Sequence, residues 1–554
     1  MKLHPAIIDI LRARGIVEED DIKEFLSDKP QKTYDPFLLP QMEEGVDLIL
    51  SAVDNGMSIC IYGDYDADGV TSVALLCDVL RSIAEDPAQI KYYIPSRFDE
   101  GYGLNKNALE KISQIGIDLV VTVDCGSSSP EEVEYAKSLG MEIIVTDHHT
   151  LPPVLPNCVL INPMRSDSQY PFRTLAGVGV TFKLCQALIE VTGMEKSIIT
   201  RNLDLVAIGT IGDLMPLKDE NRTLVKYGLR AARLGNRKGT EQLMNLLNKP
   251  VESIDSQVVS FNIVPHINAS GRMKNAYGAA KLMLASTDEK AAEMASQLVE
   301  TNKKRRELQE ALYSQCLVMI EKDQSLIEPF VFLTLDEAHE GVTGIVAGKL
   351  KEKFNRPAII VTDIGEGVYK GTGRSVDGFD LYRLLKHGEQ CFLRFGGHKG
   401  ACGFSIEKEQ IHKLKDIIFE AYDIMIHECE DQLQPAKYWD LSAEMCTLDF
   451  AEQLTLLEPF GRENEPPVFR TVIDTEWITP IGAQGQYFKI TGVTSDNCKL
   501  TVLVFNVPNW LKEEQNSKLR LEVTGTLDIN VYNGNKYLQM ISKTVTKRER
   551  EISE

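Results

Sequence analysis

Apolar and polar positions in the first third of this chain follow two alternating rhythms. Short apolar runs at Ser58–Tyr62, Leu119–Val123, Ile143–Thr146 and Val159–Ile161 read as strands. Between them, at about Val70–Ile83 and Glu131–Leu139, apolar residues recur every three to four positions. Strands separated by amphipathic helices predict a parallel sheet with helices on both faces. Residues 180–285 read as mostly helical. Ser286 with Glu289 has capping-box spacing. Met294, Leu298, Leu308, Leu312 and Cys316 then recur at helical intervals, and no Pro or Gly occurs from 288 to 325. A helix of ~35 residues spans roughly 50 Å, the length of a connector between domains. Its centre, Lys303-Lys304-Arg305-Arg306, is basic.

A second α/β pattern starts near Pro329. It has a strand at Phe330–Leu335, a helix at Val342–Phe354, a strand at Ala358–Thr362, Gly-rich turns to about Ile406, and a helical stretch ending by Glu430. The remainder alternates with period two. Val468–Trp477, Gln486–Val493, Lys499–Phe505, Leu519–Leu527 and Lys536–Val545 predict five strands, and Asn533-Gly534 marks a hairpin. Five short strands in this span suit an OB-type β-barrel, a common single-strand nucleic-acid binder. The expected architecture is α/β multidomain. A parallel-sheet domain covers 1–285 with an N-terminal extension, a connecting helix covers 286–325, a smaller α/β domain covers 326–432, and the barrel covers 433–548.

Length and composition agree with several folded domains: 554 residues, 43% apolar and 25% charged. No run of about 20 apolar residues exists, so no membrane span is expected. Met1 to Arg12 lacks the features of a signal peptide. Eleven cysteines are scattered without a C-x-x-C pair, the usage expected in a reducing cytoplasm. The formal net charge of −21 is not that of an obvious nucleic-acid binder. The distribution changes this picture. Thr343–Gly400 holds ten Lys/Arg against six Asp/Glu, a local excess of four positive charges.

The candidate chemistry follows the strands. Gly63-Asp64-Tyr65-Asp66-Ala67-Asp68-Gly69 places three aspartates at alternate positions after the first strand. An EF-hand needs a glutamate at loop position 12, and here that position is Leu75. Taken alone, the motif could be an acidic turn capping the next helix. Asp124 follows the second strand, and Asp147-His148-His149 the third. In a doubly wound sheet, ligands bind at the carboxyl ends of the strands. Five clustered carboxylates would repel strongly unless cations neutralise them. Carboxylates and imidazoles without thiolates favour Mn²⁺ or Mg²⁺, with Zn²⁺ less suited. Two such ions can activate water and stabilise the leaving oxygen in displacement at phosphorus. Asp124, central in order, is the expected bridging ligand. Asp213, in Gly209-Thr210-Ile211-Gly212-Asp213-Leu214, could by pattern be only a helix cap.

These residues resemble, in order and spacing, the four motifs of the DHH phosphoesterase superfamily. The resemblance implies that Asp64, Asp66, Asp68, Asp124, His148 and Asp213 hold the metals. It implies that His149 lies near the scissile phosphate and that Asp147 orients the histidines. Downstream, Gly101-Tyr102-Gly103-Leu104-Asn105 and Asn268-Ala269-Ser270-Gly271-Arg272 look like segments of the RecJ family. So do Gly371-Thr372-Gly373-Arg374-Ser375, Gly396-Gly397-His398-Lys399-Gly400-Ala401-Cys402-Gly403 and Leu457-Glu458-Pro459-Phe460-Gly461. That family usually continues the last motif with a second Gly and Asn-Pro, where this chain has Arg462-Glu463-Asn464-Glu465. The resemblance implies a single-strand-specific 5′-to-3′ DNA exonuclease of repair and recombination.

Glycines let backbone N–H groups approach phosphate, and arginine forks match phosphate oxygens. Arg272, Arg374 and His398 are therefore the expected phosphate contacts, with Ser375, Gly397 and Tyr102 in the same substrate-binding segments. Tyr102, Phe395 and Phe404 could stack on bases. The expected partner is single-stranded DNA in a groove too narrow for a duplex. A single-strand-binding protein and a helicase are further expected partners, and the enzyme itself is expected to be a monomer. Three rivals are weaker. A DHH hydrolase of short oligonucleotides would not need the barrel or the long helix. A scaffold without activity would have lost metal ligands, and a plain strand-binding protein would not need them.

Overall fold

The computed structural model describes residues 3–548 except 99, 102, 430–437, 515 and 516. Two compact units emerge, Pro36–Asp213 with Gly228–Pro435, and Met1–Asp35 with Leu214–Tyr227 and Ala436–Glu554.

The first unit contains a wholly parallel sheet of β1 (Ile59–Gly63), β2 (Ile90–Tyr93), β3 (Leu119–Val123), β4 (Glu142–Thr146) and β5 (Val159–Ile161), in the order β2-β1-β3-β4-β5. β1 and β3 are buried along their whole length, as strands covered on both faces must be. The strand order reverses between β1 and β3, and such a switch point opens a crevice at the carboxyl ends. β2 escapes the hydrophobic pattern. It is an edge strand with one buried residue in four, so it has no apolar run to detect.

The long helix spans Asp288–Lys322, 35 residues. Its N-cap is Thr287, which accepts from the Lys290 N–H at 3.3 Å, one residue later than the predicted Ser286. The N-terminal half packs on helices of the parallel-sheet domain; Leu312, Cys316 and Ile320 join the core of the second sheet. Between the two apolar contacts the buried face turns polar. Asn302 and Gln309 are buried there, and Arg305 donates to both, at 2.7 Å to Gln309 Oε1. Leu308, expected on the buried face, is 38% exposed for the same reason. The basic centre therefore divides, with Arg305 half-buried and Lys303, Lys304 and Arg306 exposed.

The second sheet contains β6 (Val331–Leu335), β7 (Ala358–Asp363), β8 (Val368–Arg374), β9 (Phe392–His398) and β10 (Ala401–Glu407), ordered β6-β7-β8-β10-β9. Only β6 and β7 run parallel. The Gly-rich segments expected as turns are strands instead. Gly371 and Gly373 lie in β8, Gly396 and Gly397 in β9, and Gly403 in β10. The reason is packing. A Cβ on Gly371 would stand 2.0 Å from the Phe404 ring, so the missing side chain makes room for that ring. Phe404 is buried, and Phe395 stacks between Tyr382 and Phe392, so both rings serve the core rather than open bases.

In the second unit the pairings run in a ring. β12 (Phe469–Ile481), β13 (Tyr487–Thr494), β14 (Lys499–Val504), β16 (Asn535–Lys547) and β15 (Arg520–Tyr532) follow one another, and β15 pairs back with β12. A short β11 (Trp439–Asp440) flanks β12. β14 and β16 pair in parallel, Thr501 to Leu503 with Gln539 to Ile541. Asn533 and Gly534 both take positive φ, 50° and 78°, as a two-residue hairpin turn requires. Ala6, Ile7, Ile10, Leu11 and Ile22 from the chain's first two helices complete the barrel's core. The loop after Gly461 holds Glu463 at φ 59°, a left-handed conformation that glycine adopts more readily. Asn464 is buried below it and donates to the Leu457 and Pro459 carbonyls, at 2.9 and 2.8 Å.

Candidate metal centre

The crevice at the β1/β3 switch point is lined by the predicted residues. Asp66 is the N-cap of the helix Ala67–Ile83, and one of its oxygens accepts from the Asp68 and Gly69 N–H groups. The capping role weighed for this motif is thus real for Asp66. Gly69 allows the loop to fold back on itself, since a Cβ there would meet the Asp64 backbone at 2.6 Å. Asp68 is held by both oxygens, which accept from Gly177 N–H at 2.7 Å and Val178 N–H at 2.8 Å. Those donors open the helix Gly177–Thr192, whose N-terminus favours a carboxylate.

Asp124 caps β3 at φ 62°, a left-handed conformation that costs a non-glycine residue of order 1 kcal/mol or more. Its carboxylate lies where only a glycine can pass. A Cβ on Gly177 would come within 2.4 Å of Asp124 Oδ1. His148 Nε2 stands 3.2 Å from Asp124 Oδ1, 3.6 Å from Asp213 Oδ2 and 3.9 Å from Asp68 Oδ2. Burial, and then the charge of His149, press the His148 pKa down to about 4, so the ring is neutral at pH 7. A hydrogen bond with the Leu175 backbone restrains the ring. Nε2 itself is buried without a hydrogen-bond partner, as are Asp64 Oδ1 and Asp124 Oδ1.

Burial, followed by the neighbouring carboxylates, raises Asp64, Asp68 and Asp124 well above the usual carboxylate range. Three buried atoms with lone pairs and no partner, two of them 3.2 Å apart, are what a cation would resolve. The ligand atoms of Asp64, Asp66 and Asp124 lie within 4.8 Å of one another, and so do those of Asp68, His148 and Asp213. Asp124 also groups with His148 and His149, so it stands between the two sets. The donor set is oxygen and imidazole nitrogen only, which fits Mn²⁺ or Mg²⁺.

Asp147 is not in these groups. Its Oδ1 accepts from the His148 and His149 backbone N–H groups and bonds His149 Nδ1 at 2.7 Å, while Oδ2 accepts from Ser127 N–H. Burial would raise Asp147, but the His149 hydrogen bond and the two imidazoles hold it below the usual range. Burial would lower His149, but Asp147, with Asp213 and Asp68 beyond it, raises it to about 9. The His149 side chain is 42% exposed, so the imidazole held by Asp147 reaches the opening of the site. Asn162 was not legible in the sequence. It is fully buried and donates to Ser127 Oγ and to the His149 carbonyl, both at 3.0 Å.

The substrate-binding candidates are divided. Arg272 and Arg374 approach one another with a third arginine, Arg97, whose guanidinium lies 5.5 Å over the Tyr65 ring. Burial, then Arg97 and Arg374, push Arg272 down to about 10, and burial with Arg97 lowers Arg374. Arg97 sits in a plain Ser-Arg-Phe context, with no motif to flag it. It also lines a small pocket of about 90 Å³ with Thr343, Lys370, Gly371 and Thr372. Ser375 is turned inward, donating from Oγ to the Phe379 carbonyl at 2.8 Å, which makes it a structural residue of the turn. Gly397 has φ 145°, and a Cβ there would meet the Ala401 carbonyl at 2.4 Å. His398 is exposed at the β9–β10 turn, where its Nδ1 accepts from Gly400 N–H. Tyr102 lies outside the described residues.

Comparisons with known proteins agree with this layout. The DHH family, N-terminal domain, matches residues 58–210, the DHHA1 domain residues 328–423, and the RecJ OB domain residues 439–544. A single-stranded-DNA-specific exonuclease RecJ from Bacillus subtilis is 34% identical over all of this chain and 69% of its own length. The Escherichia coli protein of the same name is 32% identical over 91% of this chain and 90% of its own. A crystal structure of RecJ in complex with Mn²⁺ from Thermus thermophilus superposes with a TM-score of 0.78 at 27% identity, covering 99% of this chain and 79% of that one. The same protein in complex with Mg²⁺ gives 0.76 at 28% identity, over 98% and 74%.

Proposed function

We propose, given that this chain belongs to the RecJ family of single-stranded-DNA-specific exonucleases, that it removes nucleotides from the 5′ end of single-stranded DNA, using Mn²⁺ or Mg²⁺. The observation that carries this reading is the set of buried, unpartnered ligand atoms on Asp64, Asp124 and His148, each a member of a carboxylate or carboxylate–imidazole group whose ligand atoms lie within 4.8 Å of one another. Asp64, Asp66, Asp68, Asp124, His148 and Asp213 are the proposed metal ligands, with Asp124 shared between two ions. Bound there, the ions supply Lewis-acid activation of water and neutralise charge at the reacting phosphorus.

The chain's own residues do the rest. Asp147 and Asn162 hold the two histidines in place. His149, reaching the opening of the site on the Asp147 hydrogen bond, faces the scissile phosphate. Arg97, Arg272 and Arg374 are mutually repelling cations, and a phosphodiester backbone relieves that repulsion. The division into a catalytic part (1–285), a connecting helix (286–325), a substrate-binding part (326–432) and a strand-binding barrel (433–548) belongs to the same reading. A single-strand-binding protein and a helicase are proposed partners, and the working form is a cytoplasmic monomer.

The test is digestion of single strands labelled at the 5′ or the 3′ end, beside a duplex, with Mn²⁺, Mg²⁺ or chelator. Mononucleotides released first from the 5′ label, only with metal and only from the single strand, are expected. Release first from the 3′ label sinks the polarity, and equal attack on the duplex sinks the strand selectivity. A second expectation concerns the arginines. Arg374→Ala should raise KM about tenfold with little change in kcat, and flatten the slope of log affinity against log salt by roughly 0.7, the value for one lost contact to a single strand. Unchanged KM and slope would remove Arg374 from the strand path.

A further inference from the structure

The helix that carries Arg272 begins irregularly. Val259–Ile263 form a π turn in which the Val264 N–H reaches back five residues to the Val259 carbonyl. Val264–Met273 then continue as α-helix. Pro265 accounts for the irregularity, because it has no N–H to give the Phe261 carbonyl four residues earlier. Single π turns of this kind recur at functional sites.

Both ends of the α-helical part dock on the candidate metal loops. A Cβ on Gly212, the neighbour of Asp213, would stand 3.3 Å from Val264, and one on Gly271 would stand 2.6 Å from the Tyr65 carbonyl. About a quarter-turn around the helix, positions 261, 265, 268 and 272 follow at spacings of four, three and four, so they share one face. At its C-terminal end that face presents Arg272. In its middle is Asn268, whose Oδ1 is buried and has no hydrogen-bond partner. At its start is Phe261, 77% exposed, the most exposed of the large apolar side chains among the described residues.

A phenyl ring and a guanidinium along one face match two parts of a nucleotide strand, base and phosphate. Aromatic side chains bind single strands by stacking on bases, with little regard to sequence. We propose that Phe261 is a base-stacking residue that positions the strand, a few nucleotides from the phosphate held by Arg272. Eleven residues at ~1.5 Å put Phe261 and Arg272 roughly 16 Å apart along the helix, which sets that spacing. The inference rests on the reading of this chain as a single-strand nuclease.

The test uses the full-length enzyme and three variants, Phe261→Ala, Phe261→Ile and Phe261→Trp. Isoleucine keeps apolar bulk but has no aromatic face. Alanine and isoleucine should each raise KM for a long single strand about tenfold, with kcat within about twofold, and tryptophan should restore KM to the parent's. A single abasic site walked along the strand should raise KM for the parent at one or two positions and have no effect there in Phe261→Ala. In chelator, without turnover, 2-aminopurine at those positions should be quenched by the parent and released by the alanine variant. Unchanged KM in both alanine and isoleucine variants, or an abasic penalty equal in parent and variant, overturns the proposal. So does quenching that survives Phe261→Ala, which would leave the ring as a contact for a protein. If the parent quenches 2-aminopurine but never degrades the strand with metal, it is the nuclease reading that fails and the stacking that stands.

Discussion

Asp124→Ala abolishes hydrolysis of single-stranded DNA by more than about a hundredfold, while affinity for the strand stays within about threefold of the parent. Losing a residue that merely orients a metal ligand typically costs 10–100-fold. Asp124 sits between both groups of ligand atoms, so its loss should exceed that range. It is also the residue whose backbone is held at φ 62° to face the crevice. Activity is read on end-labelled strands with Mn²⁺, and affinity by fluorescence anisotropy in chelator. Melting provides a second readout. Asp124 is buried among Asp68, Asp66, Asp213 and Asp64, which raise its pKa after burial does. In chelator, removing it relieves repulsion, so the variant should melt no lower than the parent. With Mn²⁺ the parent should gain thermal stability and the variant should gain less. Manganese-dependent turnover retained by the variant would refute the shared-ligand assignment.

Gly177→Ala is expected to be nearly as damaging although it adds only one carbon. The new Cβ would lie 2.4 Å from Asp124 Oδ1 and 2.5 Å from Asp124 Cβ, and atoms that close must separate. The helix N-terminus cannot retreat freely, because the Gly177 N–H donates to Asp68. Either Asp124 leaves its position or the Asp68 hydrogen bond breaks, and both deform the ligand set. A loss of activity of about a hundredfold should accompany a destabilisation of about 1–3 kcal/mol, the usual range for overpacking. Urea denaturation measures the second quantity independently. Full activity with normal stability would show that the Asp124 carboxylate has slack that the distances deny.

How far the sequence carries these conclusions depends on the range of the interaction. The parallel sheet was legible because β1, β3 and β4 are continuous apolar runs, and most ligand positions followed because Asp64 to Asp68, Asp124 and His148 lie just past strand ends, whereas Asp213 closes the helix Leu203–Gly212. The barrel was legible because Asn533-Gly534 and period-two alternation are local signals. β2 was not, since an edge strand with a polar half has no such run. The glycines of β8 to β10 misled because Gly-rich segments usually turn, and only the Phe404 ring beneath Gly371 explains why these remain strands. The participation of residues 6–22 in the barrel's core was equally hidden, because those contacts cross more than 400 positions. Within the site, carboxylates and histidines stood out, but their supports did not. Nothing local distinguishes Asn162, Arg97 or Gly177. Their importance lies in what reaches them through space.

The long helix has a consequence of another kind. Its first half is bound into one core and its second half into another, with the polar seam of Asn302, Arg305 and Gln309 between. An α-helix advances about 1.5 Å and turns about 100° with each residue. The helix therefore works as a phase gauge. The number of residues between its two anchors sets the rotational setting at which Arg374 meets Arg97 and Arg272. Sequence along its exposed side can drift freely, but its length cannot, because one added residue would swing the second sheet by about a quarter-turn. Evolution can rewrite this helix far more easily than it can lengthen it.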